Sequence, residues 1–469
     1  MNTILEGFRM LKDKNKLAYG FFLLFVAAFI LIVLRGLKTA QPGDENVYYY
    51  MGRLISEGKI PYKDFFYAHP PLHIYLIAFI YKIFGFNIVV FKFLPMLATM
   101  MSAFFVFKIA KEKFGSTEAI IASLLFIFSY GVMFNSVFSF GVDVATMFLA
   151  IGFYLLWNKN NYVLAGVLFG LAGVTRLLAL VPIAIILVST LLSNKKHFIK
   201  LSSAFLTIFL LVNGIFALLF GAQYLTPVYK YHTLKSFGYK ENFKEYLDII
   251  KLNWILFSSA FLLVFVKDKE SIKFPLVISI SYLIFLAALN KLFGFYFVVV
   301  FPFLAVIGSY NVAGIFRNPN LSKKLLVPVS VILLLVFFWN LLSDLMFLQK
   351  IGFSGFERGR DLADFIDSNS DKDTLLFGDD SVVPLLALMT GRKIASDFVD
   401  TNNQIFISGV KNLNEVLGSL KGKDTLFIVR SAQGLSYFDE VKSLLSKNCE
   451  FLSQFHDKTE GDYLVYRCG

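Results

Sequence analysis

The sequence predicts an α-helical polytopic membrane protein that ends in a small soluble α/β domain. Two observations carry the first part. Of 469 residues, 57% are hydrophobic and only 17% charged, with a mean hydropathy of +0.66. Uninterrupted apolar runs also recur from about residue 17 to residue 347. Water cannot be kept from that much apolar surface by so few charges, and one spanning helix takes about 20 apolar residues. The third observation is a change of texture at Lys350, where the apolar runs give way to short alternating strand and helix patterns. A soluble multidomain fold, a single-anchor protein, and DNA-binding, collagen-like or disordered classes are excluded on these grounds. The expected domains are 1–348, transmembrane, and 349–469, soluble.

Charge supports the division and sets the expected topology. From Lys350 to Gly469 there are 14 basic and 18 acidic residues, a net of −4, so the remainder carries +16 of the overall +12. Basic residues sit before the first apolar run (Arg9, Lys12, Lys14, Lys16) and in short loops at Lys108/Lys111/Lys113, Lys159, Lys195/Lys196/Lys200, Lys267/Lys269/Lys273 and Arg317/Lys323/Lys324. The positive-inside rule makes these cytoplasmic, and no nucleic-acid partner is needed to explain them. Eleven spans follow, near 18–37, 88–108, 117–134, 143–157, 162–176, 177–193, 201–221, 252–267, 274–290, 296–314 and 325–347. Eleven crossings from a cytoplasmic N-terminus leave the C-terminal domain extracytoplasmic. The run 71–84 is short for a span and reads as an interfacial or re-entrant helix on the outer side. The longer loops, 38–70, 135–142, 221–251 and 290–295, then all lie outside, so any site confined to one face belongs there.

In the last part, helical periods at 356–366, 382–389, 412–420 and 438–445 interleave with strands at 374–377, 425–429, 451–455 and 463–466. Cys449 and Cys468 are the only cysteines and bracket the last two strands. A tight antiparallel pair brings them near each other. An extracytoplasmic disulfide and two buried thiols are both compatible with that placement.

Charges at membrane depth or in apolar outer loops are costly and mark candidate sites. Asp44-Glu45 follows the first span and opens an amphipathic stretch. On spacing alone Asp44 also reads as a helix N-cap, and adjacent residues point about 100° apart. Tyr67-Ala68-His69-Pro70-Pro71-Leu72 opens the interfacial helix with two prolines, whose missing N–H groups cost little there. Asp143 enters the fourth span with no neighbouring charge. Arg176 falls between two short spans, where a guanidinium suits a phosphate headgroup or snorkels to the interface. The loop from 223 to 251, with Lys230, Tyr231, His232, Lys235, Lys240 and Lys244, reads as a basic aromatic loop for anionic headgroups or as a solvated loop. No Walker A motif, dinucleotide fingerprint, zinc-type cysteine pair or His-Glu-x-x-His is present.

In this order and placement the motifs resemble the GT-C superfamily of membrane glycosyltransferases, above all the branch of protein O-mannosyltransferases and the lipid A aminoarabinose transferase. Asp44-Glu45 resembles the family's acidic motif after the first span. His69-Pro70-Pro71-Leu72 resembles the mannosyltransferase His-Pro-Pro-Leu. Asp143 stands where a second acid recurs, 170–176 resembles a Gly-rich helix end with a terminal basic residue, and 296–304 with Pro302 resembles a late proline-bearing span. The aminoarabinose transferase branch tends to have Lys where this chain has His69, and the C-terminal domain is unlike the β-trefoil of eukaryotic O-mannosyltransferases.

The resemblance implies a polyprenyl-phosphate-linked sugar donor, an acceptor glycan, lipid or protein, and inverting transfer at the outer membrane face. It makes Asp44 the base, with Glu45 and Asp143 orienting, and Arg176, His69, His232, Tyr67 and Lys230 binding substrate. No cofactor is required by that scheme. A divalent metal on Glu45, Asp143 and His232 is allowed. The alternatives are a lipid-linked sugar flippase, which would place its ligand groups at the bilayer midplane, and a glycan-assembly scaffold, which would lack a catalytic cavity.

Overall fold

The structure, a computed structural model, describes residues 2–235, 238–262, 270–317, 323–431, 433–458 and 461–469. Lys267 and Lys269 of the expected basic loops lie outside them. The described chain separates into two compact units. One comprises Met1–Leu37, Lys92–Val212 and Gly238–Phe353; the other comprises Lys38–Phe91, Asn213–Phe237 and Ser354–Gly469. The long segments 38–91 and 213–237 belong with the C-terminal stretch, a grouping that chain order does not suggest.

The elements follow the apolar runs. Helix α1 (Asn2–Lys38) leads to α2 (Asp44–Ser56), α3 (Leu72–Phe84), α4 (Ile88–Lys113), α5 (Ser116–Ile127), α6 (Tyr130–Asn135), α7 (Val142–Trp157), α8 (Tyr162–Gly173), α9 (Leu180–Ser193) and α10 (Lys195–Phe220). After these come α11 (Ala222–Leu225), α12 (Tyr231–Leu234), α13 (Tyr239–Leu252), α14 (Trp254–Phe261), α15 (Glu270–Ala287), α16 (Phe301–Phe316) and α17 (Lys323–Phe347). Among the described residues, five helices are long and apolar enough to cross a membrane: Asn15–Lys38, Ile88–Lys113, Lys195–Phe220, Glu270–Ala287 and Val327–Gly352. Five of the other six expected spans coincide with shorter apolar helices; of the sixth, 252–267, the structure describes the helix Trp254–Phe261, and 263–267 lies outside the described residues. The segment 221–251, expected as a loop, is instead largely helical. Its charges suggested solvent, yet Tyr246, Ile249 and Ile250 of α13 recur at helical spacing and pack on the apolar core.

In the first unit, close helix contact depends on absent side chains. A Cβ on Gly170 would lie 2.6 Å from Ile208 Cβ, and one on Gly166 would lie 2.8 Å from Ala204 Cβ, so α8 meets α10 along a small-xxx-small stripe. Lys92, fully buried near the start of α4, donates to the Gly36 carbonyl at 3.3 Å and lies 4.8 Å from the Phe138 ring centre. Buried Glu118 is ion-paired with Arg317.

In the second unit, α3 buries His73, Ile74, Ile77 and Ala78 and leaves Phe79, Ile83 and Phe84 exposed, as an interfacial helix would. The C-terminal part runs α18 (Gly359–Asn369), β1 (Leu375–Gly378), α19 (Val383–Thr390), α20 (Asn403–Ile407), α21 (Leu413–Gly418), β2 (Thr425–Arg430), α22 (Asp439–Asn448), β3 (Cys449–Asp457) and β4 (Gly461–Cys468). The four strands are ordered β1-β2-β4-β3, with β1 and β2 parallel and the other pairs antiparallel. Cys449 and Cys468 are register partners and form a disulfide, which decides between the two readings the sequence allowed.

Candidate functional site

Asp44 is the first residue of α2, and the N-cap is Gly43, which offers no side chain. The N-cap reading of Asp44 is therefore corrected: it is a first-turn acid, favoured by the helix dipole, and its side chain is exposed. Glu45 is buried to 1% and accepts a hydrogen bond from Tyr49 Oη at 3.0 Å, one turn on. Adjacent carboxylates are thus split, one to solvent and one into the protein.

One face of α2 is held by the segments that flank α19 in the C-terminal stretch. Gly43 N–H donates to the Ser381 carbonyl at 2.9 Å, and Asn46 Nδ2 donates to the same carbonyl at 3.3 Å. One turn on, Tyr50 Oη accepts from Ile394 N–H at 2.8 Å, and burial pushes its hydroxyl up to about 12. Arg53 Nη1 then donates to the Arg392 carbonyl at 3.0 Å. On another face, a Cβ at Gly52 would meet Ile77 Cγ2 at 2.7 Å, which lets α3 approach α2. Asp380 and Asp400 lie within electrostatic reach of Asp44. Burial first, then neighbouring carboxylate charge, pushes Asp380 well up; burial, then Asp44, pushes Asp400 up to about 7.

Tyr67, His69 and His232 come together. The His69 and His232 rings stack with centroids 5.5 Å apart, and Tyr67 lies edge-on to His69 at 5.7 Å. His232 Nε2 donates to the Ala68 carbonyl at 2.7 Å, which fixes the ring's tautomer or charge. Tyr48 of α2 is edge-on to Tyr67, His69 and buried His73, so the proline motif and the acidic helix are packed as one body. Phe66, Ala68, Tyr231 and Ile405 form the apolar cluster beneath. Lys230 is exposed and does not join the ring cluster by any described contact; its carbonyl accepts from Thr233. A cavity of about 390 Å³ lies beside the motif, lined among others by Tyr62, Phe65, Gln223, Thr226, Asp397 and Lys411. Tyr62 Oη joins that wall to the motif by donating to the His69 carbonyl at 2.7 Å.

The other unit holds Asp143 and Arg176. Asp143 lies in the first turn of α7, 2% exposed, and accepts from Thr99 Oγ1 at 3.3 Å. Arg176 sits in the break between α8 and the short turn Leu177–Ala179, with its N–H on the Ala172 carbonyl at 3.0 Å. It is 4% exposed, which corrects the snorkelling alternative, and its charge acts on Asp143. Among the described residues no group of three or more His, Cys, Asp or Glu is arranged to hold a metal ion. The trio Glu45, Asp143 and His232 is divided between the two units.

Sequence reasoning missed Lys92, a single cation inside an apolar run, and the carboxylates Asp380 and Asp400. The first carried a legible signal, the cost of a charge at membrane depth. The other two did not, because only the fold brings them to Asp44.

Residues 68–220 match the family model described as dolichyl-phosphate-mannose-protein mannosyltransferase. Comparison with curated proteins gives no match. Among solved structures, ArnT from Cupriavidus metallidurans in the apo state is similar with a TM-score of 0.69 and 13% identity, covering 96% of this chain and 98% of that one. The chain therefore has the fold of that membrane protein. The same ArnT bound to undecaprenyl phosphate gives a TM-score of 0.66 at 14% identity, covering 95% and 98%. The archaeal oligosaccharyltransferase AglB from Archaeoglobus fulgidus, in complex with an inhibitory peptide and a dolichol-phosphate, gives 0.57 at 11% identity, covering 96% and 74%. The shared fold therefore extends over the C-terminal residues, well beyond the stretch the family model matches.

Proposed function

We propose that this protein transfers a sugar from a polyprenyl-phosphate-linked donor to an acceptor hydroxyl at the outer membrane face, with inversion. The observation that carries the reading is the pair at the start of α2: an exposed Asp44 carboxylate beside a buried Glu45 fixed by Tyr49, in a GT-C fold. The acceptor oxygen attacks the sugar's anomeric carbon while Asp44 takes its proton. The carbon–oxygen bond to phosphate breaks, and its electron pair leaves with the polyprenyl phosphate. Arg176 stabilises that charge, with His69 and His232 as further donors and Tyr67 holding the ring pair. Asp143 orients Arg176. Lys230 contributes long-range attraction to the anionic donor. The scheme needs no metal step.

The ArnT and AglB structures with lipid phosphates support a lipid-linked donor, and the disulfide supports an extracytoplasmic C-terminal domain. A cytoplasmic N-terminus follows from the basic short loops. The test is reconstitution in proteoliposomes with polyprenyl-phosphate sugar extracted from the source membranes. Asp44→Asn should abolish transfer while donor binding persists; full transfer by that variant would sink the reading.

A further inference from the structure

We infer that the C-terminal domain sets the position of Asp44, and that Asp379 and Arg430 are positioning residues for the transfer. The inference rests on Asp44 acting as the base, and adds a role for the domain in the chemistry.

Gly378 has φ +140, and a Cβ there would run into the Ile428 backbone of β2, so the strand pair closes tightly at this turn. The next residue, Asp379, is 1% exposed. A buried carboxylate persists only when its oxygens are used. Here they are: Oδ1 accepts from Ser381 N–H at 3.0 Å and from Ser381 Oγ, and Oδ2 accepts from Arg430 Nε at 3.1 Å. Its backbone N–H donates to the Ile428 carbonyl at 2.8 Å, and its own carbonyl accepts from Val383 N–H at 2.9 Å, starting α19. The turn from 378 to 381 is therefore held by strand, helix and ion pair together.

The turn ends in a single acceptor, the Ser381 carbonyl. It receives Gly43 N–H and Asn46 Nδ2, the donors on either side of Asp44-Glu45. Asn46 also donates to the Gln41 carbonyl at 2.7 Å, closing the approach to the helix. Farther along, Asn46, Tyr50 and Arg53 recur at spacings of four and three, which is one helix face. All three bond to the C-terminal domain. The start of α2 has no side-chain cap; this distant carbonyl instead accepts the N-cap residue's own N–H, the part that N3 plays in a capping box. A base displaced by about 1 Å costs on the order of 100-fold in rate, so the anchoring bears directly on catalysis.

The experiment compares the full-length wild type with Arg430→Ala, Arg430→Lys and Asn46→Ala in the proteoliposome assay. Donor titration separates kcat from KM. Thermal unfolding and quantification of the Cys449–Cys468 disulfide report whether the domain is folded. Folded Arg430→Ala should lose about 100-fold in kcat with KM for donor within about twofold of wild type. Arg430→Lys, which keeps a donor and the charge, should recover most of it. If Arg430→Ala does not fold, Asn46→Ala removes one of the two donors to the Ser381 carbonyl from the α2 side without touching the sheet, and a kcat loss in the same direction is expected. An unchanged kcat in a folded Arg430→Ala, or in Asn46→Ala, overturns the inference. So does a rise in KM alone. Asp44→Asn is assayed in parallel: if it transfers at the wild-type rate, the functional reading itself has failed, whatever the positioning variants do.

Discussion

Gly170→Ala tests whether helix packing positions Arg176. The added Cβ would lie 2.6 Å from Ile208 Cβ, 2.9 Å from its Cγ2 and 3.2 Å from the Phe205 carbonyl oxygen. Carbon atoms in contact settle about 3.5–4.0 Å apart. The α8–α10 contact must therefore open by about 1 Å, because Ile208 Cβ is on a helix backbone and cannot rotate aside. Overpacking of this kind costs about 1–3 kcal/mol. Arg176 lies three residues beyond the end of α8 and is tied to it through the Ala172 carbonyl, so a comparable shift is passed on. If Arg176 meets the leaving phosphate, transfer should fall by about 100-fold. The assay is initial transfer rate in proteoliposomes beside thermal unfolding in detergent. Ile208→Gly, combined with Gly170→Ala, moves the gap to the facing helix and should restore much of the rate, although glycine in a helix costs about 1 kcal/mol. Wild-type rate and stability in Gly170→Ala, or strict additivity in the double variant, would refute the reasoning.

Three further outcomes follow from the same structure. Glu45→Gln keeps an acceptor for Tyr49 Oη, so circular dichroism and melting temperature should stay near wild type; the proposed division of roles implies a smaller rate loss than Asp44→Asn, and an equal loss counts against it. Asp400 is raised to about 7 by burial and by Asp44, opposed by the Asn402 N–H and Lys235. A raised acid pKa means the folded state holds a proton the unfolded chain has already lost. Its contribution to stability is therefore greatest in the acid part of the window from about 4 to about 7 and is lost as pH rises through 7. Asp400→Asn should flatten that step in melting temperature against pH, and an unaltered step would assign it elsewhere. Replacing Cys449 and Cys468 by Ser opens a link between residues 19 apart, which should cost about 3 kcal/mol of domain stability in a denaturant titration.

Much of the architecture was legible because membrane helices and alternating strands are local statements. Each expected span needed only an apolar run, and each coincides with a helix over its described residues. The C-terminal strands were readable from short apolar runs between turn residues, and the hairpin placed the two cysteines side by side. The error in 221–251 came from weighing charge above period, since Tyr246, Ile249 and Ile250 marked α13. The site was legible only in pieces. Asp44, His69, Asp143 and Arg176 stand out because ionisable groups near apolar runs are costly wherever the chain goes. Their companions do not stand out. Asn46 and Ser381 are 335 residues apart and joined through a backbone carbonyl, a group that every residue carries and no sequence pattern marks. Burial of Glu45 beside exposure of Asp44 is likewise a property of what packs around α2.

The sequence by itself determined that this chain lives in a membrane, where its helices fall and which charged residues need explaining, because hydrophobic transfer acts on each segment alone. Only the tertiary structure decided that the turns on either side of α19 hold the acidic helix and that the two cysteines are bonded. Hydrogen bonds and ion pairs act over about 3 Å, so they become visible only once folding has brought distant segments together.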